Sequence, residues 1–321
     1  MDFQGVQVIR ALLEGSRQNL MFKIKTRQIG FDKISAELKA RILWFAALLT
    51  IGGISYVICA YNLLASESDM YSHVPVTFAI SGYVLFRERG NIFKQLNYSY
   101  AAGGGCVFAS AVVFILGNAA KSGLTQNDYF SAVSFAFVLY LIGSFILCFG
   151  AGAFRRGAFA VLLLLFAVPI PDFVMSRITW FLQVMSFWSA AWIMDFLGLY
   201  PIREGFTLSF PGLTIEVAEQ CSGIRSSLAL MLMSLLYMHY FLRKYPSRVL
   251  LVAASLFIIP FKNGLRIAVL VLLSIYWDRR FLSGPLHTYG GIPFFGIGIA
   301  WLSLLTVILA KAEKYLSHSR S

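Results

Sequence analysis

Long apolar runs recur along this 321-residue chain, and they constrain its fold more than any other feature. Apolar residues make up 58% of the sequence and charged residues 13%, and the mean hydropathy is +0.72. Soluble domains average about 45–50% apolar and about 25% charged residues. The composition therefore excludes a soluble globular protein and predicts an integral membrane protein of the all-α class.

The apolar runs predict about eight transmembrane helices, since one crossing of the bilayer core takes about 20 apolar residues in a helix. The approximate spans are 42–64, 71–86, 98–118, 129–150, 157–174, 222–241, 249–276 and 292–310. Residues 1–41 are predicted to be a basic cytoplasmic segment, 42–310 the membrane domain and 311–321 a cytoplasmic tail. No apolar run begins before residue 42, so no cleavable signal peptide is expected.

Basic side chains are distributed unevenly between the predicted loops. With the N-terminus in the cytoplasm, 19 of the 27 Lys and Arg residues fall on the cytoplasmic side. This bias follows the positive-inside rule and predicts that both termini are cytoplasmic. It also accounts for the formal charge of +12 without nucleic acid as a partner.

Residues 175–220 are predicted to form one long extracytoplasmic segment. Polar residues recur in its first part at spacings of three and four, at Ser176, Thr179, Gln183 and Ser186. That stripe predicts an amphipathic helix lying in the outer membrane interface. Its expected interfacial anchors are Trp180, Phe181, Trp188 and Trp192. A true span here would invert everything downstream, and the basic turn at 243–248 argues against that inversion.

A β-hairpin is predicted between this helix and the sixth span. Apolar residues alternate with Thr, Ser and Glu on both sides of Pro211-Gly212. Strict alternation around such a turn dipeptide is typical of a two-stranded hairpin. The hairpin leads directly into Cys221.

Cys221 is the only one of the four cysteines at a predicted outer helix start. The bare N–H groups of the first turn, the helix dipole and Arg225 would all favour thiolate over thiol there. The alternative is a small buried residue, which is what an isolated cysteine usually is. The candidate supporting residues around it are Glu219, Ser222, Gly223 and Arg225. The cysteines show neither a CxxC pair nor zinc spacing, so no disulfide framework or structural zinc site is expected.

The seventh predicted span contains Lys262, Asn263 and Arg266. A guanidinium within an apolar helix costs about 2.5–3.5 kcal/mol on insertion scales, so it normally faces a partner or a cavity. The helical rise places Arg266 near the outer boundary of the bilayer core, at a height where it can approach the cysteine. Arg266 and Asn263 are therefore candidate site residues. The alternative is that Arg266 pairs with Glu219 or Asp172 to hold helices together.

His287 lies in the predicted outer loop before the eighth span. Of the four histidines, it alone is linked closely to the Arg266 helix on the Cys221 side. A thiol nucleophile needs a proton acceptor and a donor for the leaving amine, and imidazole can do both. Arg266 would then stabilise the tetrahedral oxyanion. No HExxH or comparable spacing is present, so neither a metal nor another cofactor is expected.

Three motifs, in this order and spacing, resemble the exosortase/archaeosortase family. They are the CSGIRS sequence at 221–226, the NGLRI sequence at 263–267, and His287 followed by Tyr289-Gly290. The Pro169-Ile170-Pro171 end of span five also fits the family pattern, and the resemblance covers roughly residues 42–310.

The resemblance implies a multi-pass membrane cysteine protease-transpeptidase that acts through a thioester acyl-enzyme. Its substrates would be exported proteins with a C-terminal Pro-containing motif, a transmembrane helix and a basic tail. By position, Cys221 corresponds to the nucleophile, Arg266 to the essential arginine and His287 to the histidine of the family. A histidine at 287 favours the bacterial exosortase branch, in the inner membrane with its site facing the periplasm.

Two other functions are compatible with a chain of this composition. A transporter in a polysaccharide export system would predict inverted repeats and paired broken helices, and the sequence shows neither. A non-catalytic scaffold of an export or synthesis complex would tolerate replacement of Cys221 with no lost activity.

Overall fold

The computed structural model describes residues 36–54, 56–57, 73–218, 223–282 and 291–318. Across these ranges we number nine α-helices and three strands in chain order. The helices are α1 (36–54), α2 (His73–Ile92), α3 (Tyr100–Ala119), α4 (Gln126–Phe149), α5 (Ala151–Leu163), α6 (Asp172–Phe196), α7 (Ile224–Phe241), α8 (Tyr245–Tyr276) and α9 (Gly291–His318). Short 3₁₀ turns occur at Lys121–Gly123, Leu164–Ala167 and Arg279–Leu282.

Four of the described helices are long and apolar enough to cross a membrane, namely α3, α4, α8 and α9. A fifth candidate is the pair formed by Ala151–Ala167 and α6, which is bent by 94°. α7 is apolar but shorter. The helical membrane class is therefore confirmed, and the number of eight spans stays a prediction.

The predicted fifth span ends earlier than expected. α5 begins at Ala151, and its helix gives way to the 3₁₀ turn and then to an extended Val168. Pro169 disfavours a helical conformation at Val168, and neither Pro169 nor Pro171 can donate a backbone hydrogen bond. The chain therefore breaks at this point, and α6 starts anew at Asp172.

The last helix extends beyond the predicted span end at 310, because its charged end has a partner within the protein. The Glu313 carboxylate accepts hydrogen bonds from the backbone N–H groups of Arg243 (3.0 Å) and Lys244 (2.9 Å). These groups immediately precede α8, where helix N–H groups lack partners of their own. The predicted tail is therefore helical as far as His318.

Contacts divide the chain into two compact units. In the first, which contains α1, α3 and most of α4, the buried residues of α3 lie seven apart at Gly103, Ser110 and Gly117. A Cβ at Gly103 would lie 2.7 Å from the backbone nitrogen of Leu147, and one at Gly143 would lie 2.8 Å from that of Val107. Small residues therefore let α3 and α4 approach closely, as is typical of membrane helices.

In the second unit, α8 packs against α6, α7 and α9. It continues through Pro260 as one helix from Tyr245 to Tyr276. Gly264 makes the close approach to α6 possible, since a Cβ there would lie 2.4 Å from Cβ of Ser189 and 2.9 Å from the backbone nitrogen of Ala190.

A small antiparallel sheet belongs to the same unit. β2 (Thr207–Phe210) and β3 (Leu213–Glu216) pair around Pro211-Gly212, and a third strand, β1 (Ile202–Glu204), pairs with β2. The two-strand prediction therefore missed β1, which has three exposed residues and no alternation of buried and exposed positions. The apolar face of the sheet packs on α6 and α8 through Leu208 and Val217, which lie in one buried cluster with Met194 and Val271.

Candidate active site at the start of α7

The chain enters α7 through a turn that requires glycine. Gly223 precedes the helix with φ 71° and ψ 28°, in the left-handed region that L side chains rarely adopt. A Cβ at this position would also lie only 3.0 Å from Oδ1 of Asn263 on α8. The start of α7 is therefore held directly against α8, two residues after Cys221 in the sequence.

The first turn of α7 converges on the carbonyl oxygen of Gly223. The backbone N–H of Ser227 donates to it at 3.0 Å, the Ser227 hydroxyl at 2.8 Å and the Ser226 hydroxyl at 2.9 Å. The N–H bond is the first backbone hydrogen bond of the helix, and the two hydroxyls share its acceptor.

Lys262 reaches this turn from α8. It is 2% exposed, and its Nζ lies 2.5 Å from Oγ of Ser226. Gly298 of α9 lies beside the lysine stem, and its close contact is with α7, since a Cβ there would lie 2.8 Å from Cδ1 of Leu230. Sequence reasoning noted Lys262 beside Arg266 but gave it no role. Its signal was the same as that of Arg266, a basic residue within an apolar helix.

Polar side chains of α6 complete the described part of the site. The Nδ2 of Asn263 donates to Oγ of Ser186 at 3.0 Å, and the Nε2 of Gln183 donates to the carbonyl of Val217 at 2.7 Å. Gln183 and Ser186 are both buried. These two residues of the predicted polar stripe therefore face the protein interior. Periodicity identifies a polar face but not what covers it.

The expected aromatic anchors of α6 are exposed. Trp180, Trp188 and Trp192 are 58%, 55% and 61% exposed, and Phe181 is 43% exposed. Exposed tryptophans are the side chains favoured at a membrane surface. The placement of α6 in the outer interface stays a prediction.

Arg266 is half-buried on α8, one helical turn after Lys262, so the two cations share a face of the helix. The alternative partner Asp172 is engaged elsewhere. Its carboxylate accepts hydrogen bonds from the Thr125 hydroxyl at 2.6 Å and from Nδ2 of Asn127 at 2.7 Å. These bonds join the start of α6 to Thr125 and to the first turn of α4.

The hairpin and the turn after α8 are joined by one hydrogen bond. Arg279 donates from Nη2 to the carbonyl of Gly212 at 2.6 Å. In the sequence, β3 leads to Cys221, and the 3₁₀ turn at Arg279–Leu282 leads to His287. The segments that precede the two proposed reactive groups are thus connected.

Several predicted site residues lie outside the described residues, so their placement stays a prediction. These are Glu219, Cys221, Ser222 and His287, together with the side chain of Arg225. Of the predicted residues that are described, Gly223 and Asn263 are in contact, and Arg266 follows Asn263 by three residues on α8. Within the described ranges, no three His, Cys, Asp or Glu side chains form a group that could hold a metal ion.

Comparison with known protein families gives one finding. The model of the family described as transmembrane exosortase matches residues 65–304, which is about three quarters of the chain. The matched range includes the Gly223 turn, α8 and the segments that carry Cys221 and His287. Comparisons with curated proteins and with solved structures give no significant match.

Proposed function

The chain belongs to the transmembrane exosortase family, and from that membership we propose that it is a membrane-embedded cysteine protease-transpeptidase with Cys221 as its nucleophile. Membership of this family supports a sorting-related protease or transpeptidase activity on exported proteins. The observation that supports the residue assignment is the glycine turn at Gly223. At this turn, Gly223 lies against Asn263, on the helix that also carries Arg266. Gly223 follows Cys221 by two residues in the sequence.

The proposed reaction begins when the Cys221 thiolate attacks the scissile carbonyl carbon of the substrate. The negative charge that develops on the carbonyl oxygen is stabilised by the Arg266 guanidinium. His287, which has taken the thiol proton, passes it to the leaving amine as the C–N bond breaks. The product is a thioester between Cys221 and the substrate, and an acceptor nucleophile or water then releases it.

We propose that the substrates are exported proteins with a C-terminal Pro-containing motif, one transmembrane helix and a basic tail. The enzyme would lie in the bacterial inner membrane with its site facing the periplasm. The substrate helix would dock laterally in the bilayer, and the positive-inside rule would keep its basic tail in the cytoplasm.

The test of this function is the Cys221→Ala variant with a co-expressed exported reporter. The reporter carries a C-terminal Pro-containing motif, a transmembrane helix and a basic tail, with a different tag at each end. We expect wild-type protein to remove the C-terminal tag and Cys221→Ala to leave the reporter intact. Cys106→Ala and Cys148→Ala are the matched controls and should retain processing. If Cys221→Ala processes the reporter, the nucleophile assignment is wrong, and a scaffold role becomes the better explanation.

Sidedness is tested separately with single cysteines in a background that lacks the native ones. Thr214, exposed on β3, is expected to face the periplasm, and Tyr245, 78% exposed at the start of α8, the cytoplasm. Thr214→Cys should react with a membrane-impermeant maleimide in intact spheroplasts, whereas Tyr245→Cys should react only after lysis. The reverse pattern would show that the proposed topology is inverted.

A further inference from the structure

Lys262 is a buried amine that the proposed reaction does not use. It is 2% exposed within an apolar helix, where a basic side chain is costly and normally serves a specific role. A structural lysine in such a place would be expected to pair with a carboxylate. Among the described residues, however, its hydrogen-bond partner is the hydroxyl of Ser226 at 2.5 Å, in the first turn of α7.

The direction of these hydrogen bonds follows from the donors available. A serine hydroxyl has one hydrogen, and the geometry of Ser226 directs it to the carbonyl oxygen of Gly223 at 2.9 Å. The Ser226 oxygen therefore accepts from Lys262. A charged donor polarises the hydroxyl that it binds and strengthens the next hydrogen bond in the chain. Lys262 thus acts on the Gly223 carbonyl through Ser226.

The neighbouring residue on α8 lies close to the same turn. Oδ1 of Asn263 would lie 3.0 Å from a Cβ at Gly223, so the amide leaves room here only for glycine. Lys262 and Asn263 thus both meet the turn from α8. Arg266 lies about one helical turn further along the same helix.

We infer that Lys262 is a positioning residue, which holds the backbone that carries Cys221 in register with Arg266 through the Ser226 hydroxyl. This inference rests on the proposed function, since it takes Cys221 as the nucleophile. It assigns Lys262 no contact with substrate and no proton transfer. A small displacement of a reacting group is enough to lower a rate strongly, which is why such a support is effective.

The test compares two adjacent serines. Both Ser226 and Ser227 donate to the Gly223 carbonyl, but of the two only Ser226 accepts from Lys262. We expect Ser226→Ala to slow processing of the reporter by roughly 10- to 100-fold, the range for loss of a hydrogen bond to a charged group. Ser227→Ala should stay close to the wild-type rate, and Ser226→Thr, which keeps the hydroxyl, should restore most of the rate.

Lys262→Met completes the set, because methionine keeps an unbranched stem without the amine. Its rate should fall as far as that of Ser226→Ala, and the double variant should be no slower than either single one, since both changes break the same link. All rates are initial rates in isolated membranes, normalised to the amount of enzyme present.

Three outcomes would overturn the inference. They are a normal rate in Lys262→Met, an equal loss in Ser226→Ala and Ser227→Ala, or abundance that falls in step with processing in both Lys262→Met and Ser226→Ala. The Cys221→Ala variant is measured beside them. If it is inactive while Lys262→Met is active, only the positioning role fails; if it is active, the proposed function fails.

Discussion

Two buried cations, one in each compact unit, are held in different ways. In the first unit, Arg41 is 4% exposed and forms an ion pair with Glu37 at 2.6 Å. It also donates to the carbonyl of Cys148 at 2.8 Å and lies 3.8 Å from the centre of the Tyr98 ring. In the second unit, Lys262 donates to the hydroxyl of Ser226 and has no acidic partner among the described residues.

This difference separates two reasons for burying charge. Arg41 joins α1 to the end of α4 through the Cys148 carbonyl. The carboxylate of Glu37 in the same helix and the Tyr98 ring before α3 add to the compensation for its loss of water. Lys262 receives less compensation from the residues described, and the group it binds lies at the glycine turn that precedes the proposed site. Removing Arg41 is therefore expected to affect folding, and removing Lys262 to affect the reaction.

Both units have close glycine contacts between helices, and the second also buries the amide side chains of Gln183 and Asn263. In the first, α3 meets α4 through glycines, and packing of small residues is the usual means by which membrane helices associate. In the second, α8 meets its neighbours partly through buried polar side chains, which are expensive in a membrane. Substitutions in the first unit should therefore change protein abundance, whereas polar substitutions around α8 should change processing.

The largest of the effects that follow is expected for Arg266. Lysine keeps the charge but not the planar fork that can donate two parallel hydrogen bonds to an oxyanion. Arg266→Lys should therefore slow processing about 10²–10³-fold, or roughly 2.7–4 kcal/mol, at normal abundance. Reporter processing and enzyme abundance are measured in the same membranes.

Arg266→Ala is the companion variant. If Arg266 were a structural partner of a carboxylate, its removal would leave that group buried and unpaired, and abundance would fall together with processing. Parallel loss of both in Arg266→Lys and Arg266→Ala would remove Arg266 from the site and make it resemble Arg41.

An intermediate effect is expected at the contact between α3 and α4. Gly103→Ala would place a Cβ 2.7 Å from the backbone nitrogen of Leu147, so the helices must separate, at a cost of about 1–3 kcal/mol. Thermal unfolding in detergent should shift to lower temperature, while processing per molecule stays normal. The matched control is Gly104→Ala, where nothing lies within 4 Å of the new Cβ. Equal destabilisation by both variants would argue against close packing at Gly103.

The smallest effect is expected at Tyr140, also in the first unit. Its hydroxyl donates to the carbonyl of Leu48 at 2.9 Å. Hydrogen bonds between membrane helices are worth only about 0.6 kcal/mol on average, so Tyr140→Phe should lower stability slightly and leave processing unchanged. Tyr100→Phe, at a 68% exposed side chain, is the control for loss of a hydroxyl. A strong loss of processing in Tyr140→Phe would contradict the division of labour between the two units.

The features predicted well from the sequence depend on local composition. Runs of apolar residues predicted helices at α3, α4, α8 and α9, because such runs reflect the length of chain that a bilayer core requires. Alternation around Pro211-Gly212 predicted the pairing of β2 with β3, since a strand places successive side chains on opposite faces. The family resemblance, based on three short motifs, is confirmed by the match over residues 65–304.

The features missed depend on what packs against an element. β1 was missed because three exposed residues carry no periodic signal, and it exists because β2 supplies its hydrogen-bond partners. The helix of α9 runs on past the apolar run that predicted its span, to His318. Glu313 continues the helix because it binds the backbone before α8.

Composition and motifs are enough to identify a helical membrane protein of the exosortase type, with conspicuous basic residues in the helix that contains Arg266. The burial of Gln183 and Ser186 and the bond from Lys262 to Ser226, across 36 positions of sequence, emerge only when the helices pack. Composition and periodicity report the surroundings that a segment tolerates. The partner of a buried polar group is set by which helices meet, and here glycine at 264 determines how closely α8 approaches α6.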